Sequence, residues 1–180
     1  MQFTMMAYNI ERGCHSLDHI LEKERLDAVK RIAREVNPDI LSLTEAYYGG
    51  NNSENIFMDY KSIFGFAQGC FAPFPQVGYR KEDVGGSCLL SNLLMYARPF
   101  KLKHKGAVRG EIALDNNILM VDVIHPSYTV SDMEKIKTLS PLITTGRFPY
   151  IVAGDFNTVH PDEEYNWEKL TEELMEFDPI

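Results

Sequence analysis

Four apolar runs of this sequence each carry, at or near their end, a polar side chain able to take part in catalysis. These side chains are Asn9 in the first run, Glu45 after the second, His125 after the third, and Asp155 with Asn157 after the fourth. Short apolar runs of this kind predict buried β-strands. Sites in α/β proteins form where strands end, so we expect these five residues to meet in one place.

The chemistry of this set indicates a site for a hard divalent cation. Glu45 and Asp155 offer carboxylate oxygens, and Asn9 and Asn157 offer amide oxygens, which suit Mg²⁺ or Mn²⁺ better than Zn²⁺. Such a cation offsets charge on a phosphoryl oxygen, while a carboxylate orients the attacking water and His125 hydrogen-bonds a non-bridging oxygen. The predicted reaction is phosphoester hydrolysis.

Length and composition predict one α/β domain over residues 1–180. The chain has 180 residues and 44% hydrophobic content, enough to bury a sizeable core. Its cysteines, Cys14, Cys70 and Cys88, are odd in number and far apart, which predicts unpaired thiols in a reducing compartment. The N terminus lacks a basic signal segment and no apolar run is long enough to span a membrane, so we expect a cytoplasmic protein.

The net charge separates the candidate function classes. A formal charge of −8 argues against a broad basic surface for nucleic-acid binding. It leaves a phosphoester substrate open, nucleic acid included, because a divalent cation supplies positive charge locally. The charge therefore favours a metal-assisted hydrolase over a basic binding module.

The elements around these residues follow an α/β pattern. Residues 18–36 have the apolar spacing of an amphipathic helix, which Asn37-Pro38 should end before the strand 39–45. A long loop is predicted over 65–86 and a strand over 87–96. Further helices are predicted over 54–64, from Ser131 and over 167–177, and a strand over 149–156.

Five stretches, taken in order, resemble the motifs of a known family. They are Tyr8-Asn9-Ile10, the segment 37–45 ending in Thr44-Glu45, the segment 86–91, Val123-Ile124-His125 and Gly154-Asp155-Phe156-Asn157. This order is similar to that of the endonuclease/exonuclease/phosphatase superfamily over residues 1–157. The resemblance implies a DNase I-like, four-layer α/β sandwich of two sheets with helices outside both.

The resemblance also implies roles for these residues. The equivalents of Glu45 and Asn9 serve the Mg²⁺ site, those of Asp155 and Asn157 position the nucleophilic water and the phosphate, and that of His125 contacts the scissile phosphate. Arg109 and Tyr128 lie near these motifs in sequence and are weaker candidates for substrate contact.

Some positions depart from the family pattern. Members normally close with a further strand and an Asp-His pair, whereas no histidine follows His160 here. Asn92 replaces a common arginine, and Thr44 a common glutamine. We expect the C-terminal strand or strands to be missing or replaced, the domain to be incomplete at its C terminus, and the 180-residue form to be poorly active. The alternative is a homo-oligomer in which a second copy covers the open edge.

Two functions therefore stay open from the sequence. The first is a Mg²⁺- or Mn²⁺-dependent phosphodiesterase or nuclease, and the second is a catalytically silent interaction module that keeps the fold. The sequence does not separate nucleic acid, inositol phosphate, sphingolipid and small phosphodiester substrates.

Overall fold

The protein is built on two four-stranded β-sheets, seen in a computed structural model. The structure describes residues 2–14, 16, 20–49, 60–74, 83–102, 106–126, 131, 133, 135, 137 and 148–157. The predicted helix over 167–177 and the predicted open C-terminal edge lie outside these residues. Among the described residues, no helix has the length and apolar character needed to cross a membrane.

The N-terminal sheet has the strand order β1-β2-β4-β3, and the C-terminal sheet has the order β5-β6-β7-β8. The strands are β1 (Met5–Asn9), β2 (Ile40–Gly49), β3 (Gln68–Pro73), β4 (Asp83–Ser91), β5 (Met95–Lys101), β6 (Gly106–Leu114), β7 (Asn117–Ile124) and β8 (Tyr150–Gly154). The pairs β1/β2 and β7/β8 are parallel, and the other pairs are antiparallel. Each sheet is therefore mixed.

One long helix, Lys23–Val36, packs on the outer face of the N-terminal sheet. It buries Val29 and Ala33 against that sheet because apolar residues three to four apart share one face of a helix. Asn37 ends it in a left-handed conformation and donates its N–H to the carbonyl of Ala33. Pro38 follows and prevents the helix from continuing, as the sequence predicts.

One of the hydrophobic cores lies between the two sheets. Alternate residues along each strand point to opposite faces, so every strand of the sandwich contributes one row of side chains to this core. The buried members are Ile40, Ala72 and Leu89 from the N-terminal sheet, and Val108, Ile112, Leu119, Val121 and Val123 from the C-terminal sheet. The prediction of a two-sheet α/β sandwich is confirmed.

Three element boundaries differ from those predicted. The strand predicted over 87–96 is two strands, because Ser91 Oγ accepts from Leu93 N–H and closes a turn before β5. The loop predicted over 65–86 contains β3 and the start of β4, since its aromatic and glycine residues pair in a sheet. The long helix begins at Lys23 rather than at 18, and residues 17–19 lie outside the described part of the chain.

Candidate active site

The sandwich brings the ends of β1, β7 and β8 together, beside the middle of β2. β1 runs parallel to β2 in one sheet, and β8 runs parallel to β7 in the other. β1 and β8 also contact each other across the sandwich. Polar residues that follow β1, β7 and β8 therefore face a common region.

Asn9 joins two carboxylates from opposite sheets. Its Nδ2 donates to Glu45 Oε1 at 3.2 Å and to Asp155 Oδ2 at 2.9 Å. Its Oδ1 accepts the backbone N–H of Glu11 at 2.8 Å. Because only an oxygen can accept from that N–H, the amide nitrogen must face the carboxylates. The amide oxygen thus faces Glu11 and not the space between Glu45 and Asp155.

Glu45 owes its orientation to a β-bulge and not to a strand end, which corrects the expected boundary of β2. Between the pairs Leu43/Cys88 and Ala46/Gly86, two residues of β2 lie opposite one of β4. Glu45 is the second of these two residues and adopts a positive φ of 53°. A bulge turns side chains out of the regular alternation, so Glu45 leaves the sheet surface and reaches Asn9.

The segment after β1 forms a left-handed turn, Glu11–Cys14. All four of its residues have positive φ: 38° at Glu11, 50° at Arg12, 61° at Gly13 and 62° at Cys14. For a residue other than glycine this conformation costs about 1–2 kcal/mol. The backbone N–H of Arg12 donates to Glu45 Oε2 at 3.3 Å, so the strained turn contacts the site directly. Such strain is typical of functional sites.

The loop after β8 holds Asp155 by a local hydrogen bond. Asp155 Oδ1 accepts the backbone N–H of Asn157 at 2.8 Å, which makes an Asx turn. Asn157 has a positive φ of 48°, and its Nδ2 donates to the carbonyl of Pro126 at 2.8 Å. The loops after β7 and β8 are therefore tied together at the site.

Gly154 allows this loop to leave the sheet. Its φ is +137°, and a Cβ placed there would lie 1.9 Å from the carbonyl oxygen of Ile124 on β7. We expect Gly154→Ala to cost about 2 kcal/mol of folding stability, because both strain and the clash with backbone must be relieved by moving β8. Urea denaturation measures this cost. Gly65→Ala also introduces a side chain at a positive φ but meets nothing within 4 Å, and is the matched control.

His125 lies next to Glu45 in the buried part of the site. Its side chain is 3% exposed, and its Nε2 is 3.7 Å from Glu45 Oε1. This distance is too long for a hydrogen bond but close enough for attraction when the imidazole is protonated. The ring of Phe74 packs beside the imidazole, with 5.7 Å between ring centroids.

Lys135 is a cation at this site that the sequence analysis does not single out. Its Nζ donates to the backbone carbonyl of Asn157 at 2.6 Å, and the residue is 6% exposed. Lys135 belongs to the helix predicted from Ser131, whose carbonyl accepts the Lys135 N–H. A lysine in an amphipathic helix normally reaches solvent, so its sequence gives no signal of a buried position.

A cavity of about 400 Å³ opens beside these residues. The ends of β1 and β8 line it, through Ala7, Tyr8, Asn9, Gly154, Asp155, Phe156 and Asn157. Asn9 and Asp155 therefore take part in the hydrogen-bond network and also line a cavity that is large enough for a small ligand.

The two weaker candidates do not join this cluster among the described contacts. Arg109 lies on β6, where its guanidinium binds Asp122, a residue on the face of β7 that points away from the inter-sheet core. Tyr128 lies outside the described residues. The structure thus brings together Asn9, Glu45, His125, Asp155 and Asn157, and places Arg109 in a separate ion pair.

The three cysteines are free thiols, as the sequence predicts. Cys14 is the nearest to the site, at the end of the left-handed turn. Burial raises the pKa of the Cys14 thiol to about 11, and nearby Arg25 opposes the shift only in part. The thiol is therefore protonated at neutral pH and is a poor nucleophile and a poor metal ligand.

Comparison with known families and structures agrees with this fold and residue order. A sequence model of the Endonuclease/Exonuclease/phosphatase family matches residues 6–174. A search of curated proteins gives no significant match.

Solved structures of low sequence identity share the fold. An endonuclease/exonuclease/phosphatase from Beutenbergia cavernae has a TM-score of 0.65 at 15% identity, covering 97% of this chain and 53% of its own. A family protein from Leptotrichia buccalis has a TM-score of 0.66 at 14% identity, with coverages of 97% and 74%. The human Nocturnin catalytic domain, solved with bound sulfate, has a TM-score of 0.59 at 18% identity, with coverages of 90% and 66%.

This chain thus spans about half of the Beutenbergia chain. The family match covers nearly all of the sequence, including each of the five clustered residues. The chain belongs to the endonuclease/exonuclease/phosphatase family.

Proposed function

We propose that this protein hydrolyses a phosphodiester with the help of Mg²⁺ or Mn²⁺ bound at Glu45, while Asp155 orients the attacking water beside the ion. The observation that carries the proposal is that one amide nitrogen, Asn9 Nδ2, contacts both carboxylates. The two carboxylates are therefore near neighbours, so that an ion held by Glu45 and a water oriented by Asp155 would lie in the same site. Membership of the family supports the reaction class of phosphoester hydrolysis.

The donor set fits a hard cation. Glu45 and Asp155 come from opposite sheets, and the Glu45 side chain is 30% exposed, so it is accessible to an ion. The described residues contain no cluster of three or more His, Cys, Asp or Glu ligands. Mg²⁺ does not need one, since it keeps several waters and is usually held by one or two carboxylates plus substrate phosphate oxygens. When bound, the ion would stabilise negative charge on the phosphoryl group.

Three side chains of the protein would have separate roles in the reaction. Asp155 lines the cavity, so its carboxylate is placed to orient and deprotonate an attacking water. His125, when protonated, would donate to a phosphate oxygen from its position beside Glu45. Asn9 would act as a positioning residue for both carboxylates, because its amide oxygen already accepts from Glu11.

Lys135 and Asn157 would complete the phosphate side of the site. Asn157 fixes Asp155 through its backbone N–H and is itself held by the ammonium group of Lys135. A buried ammonium here adds positive potential close to the place where substrate charge develops.

The test is a Glu45→Ala variant compared with wild type. We expect Mn²⁺ binding, measured by isothermal titration, to weaken by at least about 100-fold, because the loss of a direct ligand should exceed the loss of a supporting contact. Hydrolysis of bis(4-nitrophenyl) phosphate under Mg²⁺ should fall in parallel. The substrate panel then extends to a dinucleotide, an inositol phosphate and a sphingolipid.

Glu35→Ala is the control, because Glu35 is an exposed carboxylate on the long helix. It should bind Mn²⁺ and hydrolyse the substrate as wild type does. A wild-type protein that binds no Mn²⁺ and hydrolyses none of these substrates would instead favour the catalytically silent module.

A further inference from the structure

A single arginine on the long helix holds the left-handed turn Glu11–Cys14. Arg25 Nη2 donates to the backbone carbonyl of Glu11 at 3.0 Å and lies 3.5 Å from that of Ile10. It also contacts the Glu11 carboxylate at 2.6 Å, while Nη1 donates to Glu22 Oε2 at 3.1 Å. One guanidinium therefore links the helix, the start of the turn and the end of β1.

The contacts of Arg25 with backbone carbonyls stabilise the turn more than its ion pairs do. The Glu11 and Glu22 carboxylates are 66% and 43% exposed, so water and salt weaken their attraction to Arg25. The carbonyls of Ile10 and Glu11 belong to the backbone at the point where φ becomes positive. A donor held against those two oxygens opposes relaxation of the turn.

The left-handed turn also orients two side chains of the site, Asn9 and Glu45. The N–H of Glu11 donates to Asn9 Oδ1, and the N–H of Arg12 donates to Glu45 Oε2. Both N–H groups would point elsewhere if the turn relaxed to ordinary negative φ values, because the peptide planes would rotate. Glu45 would then lose the hydrogen bond from Arg12, and Asn9 would lose the bond that fixes its amide.

We propose that Arg25 is a positioning residue of the metal site, acting through the turn on Glu45 and Asn9. It touches neither carboxylate of the site itself. This inference rests on the proposed function, because it assigns Arg25 a part in holding the cation that Glu45 binds. Residues that support metal ligands typically change metal affinity by about 10–100-fold when they are removed.

The experiment measures Mn²⁺ affinity by isothermal titration for Arg25→Met, Arg25→Lys and wild type. Methionine keeps much of the aliphatic stem but has no donor, and we expect the dissociation constant to rise about ten-fold. Lysine keeps the charge but has no planar fork to reach the carbonyls and Glu22 together, so we expect a similar rise. A charge effect alone would leave the lysine variant like wild type.

Lys30→Met is the matched control. Lys30 lies on the same helix and pairs with Asp27 three residues before it, as Arg25 pairs with Glu22. It should bind Mn²⁺ within two-fold of wild type. Thermal melting of every variant shows whether it is folded when the titration is made.

Each outcome decides the inference. A folded Arg25→Met or Arg25→Lys variant that binds Mn²⁺ like wild type overturns it, and leaves the proposed function standing. Unfolding of both variants also overturns it, because Arg25 would then support the whole fold and not the site in particular. A wild-type protein without Mn²⁺ affinity overturns the proposed function and removes this inference with it.

Discussion

Asp155→Asn should lower kcat for phosphodiester hydrolysis by about 10³-fold, within the range of a lost general base. The change keeps the shape of the side chain and removes its charge. Asp155 accepts hydrogen bonds from Asn9 Nδ2 and from the N–H of Asn157. An asparagine has only one oxygen, so one of these donors would face an NH₂ group, and the residue could no longer take a proton from water.

Steady-state kinetics with saturating Mg²⁺ measures this loss, and the KM for substrate should change much less than kcat. Asp115→Asn is the control, because Asp115 is an exposed aspartate in the turn between β6 and β7. Its positive φ of 46° is tolerated by asparagine. An Asp155→Asn protein with kcat within three-fold of wild type would exclude a role for this carboxylate in the chemistry.

The strand ends could be predicted from sequence because burial leaves a simple pattern there. The run 150–153 is apolar and is followed abruptly by Gly154 and Asp155, and the structure ends β8 at that glycine. The same reasoning finds Asn9 at the end of β1 and His125 after β7. To predict the position of each of these residues, it is enough to predict where its own strand ends.

Glu45 shows where that reasoning stops. The sequence predicts it at the end of a strand, whereas β2 continues to Gly49 and Glu45 lies on a bulge within it. A bulge depends on how two strands pair, and no residue of β2 alone specifies it. The left-handed turn is also hard to predict from sequence. Gly13 favours a positive φ, but Glu11, Arg12 and Cys14 do not. Contacts from Glu45 on β2 and from Arg25 on the long helix hold this turn, and both residues are distant from it in sequence.

Arg109 is a candidate that the sequence suggests and the structure places elsewhere. It lies near the site motifs in sequence, but in the structure its side chain binds Asp122. Its Nε and Nη2 donate to the two oxygens of Asp122 at 2.8 and 2.6 Å. The Tyr150 hydroxyl donates to the same carboxylate, and the guanidinium lies 5.6 Å from the Phe100 ring centre. These hydrogen bonds with Asp122 raise the pKa of Arg109 above its usual value, so the guanidinium stays charged.

Arg109→Met should therefore lower the free energy of unfolding by about 3–5 kcal/mol, because it leaves a buried carboxylate without its cation. The Asp122 side chain is 0% exposed and that of Arg109 is 19% exposed, so solvent screens the pair weakly. Urea denaturation measures the cost. Arg98→Met is the matched control: Arg98 is the exposed cross-strand partner of Arg109 on β5, and its loss should cost less than about 0.5 kcal/mol.

A second variant separates the lost ion pair from lost packing. Adding Asp122→Asn to Arg109→Met removes the buried charge, and we expect it to restore part of the stability, since a neutral amide can still accept from Tyr150. At temperatures where both variants are folded, kcat/KM should stay within two-fold of wild type. A fall in kcat/KM with little change in stability would show instead that Arg109 contacts the substrate, and that the ion pair with Asp122 opens during the reaction.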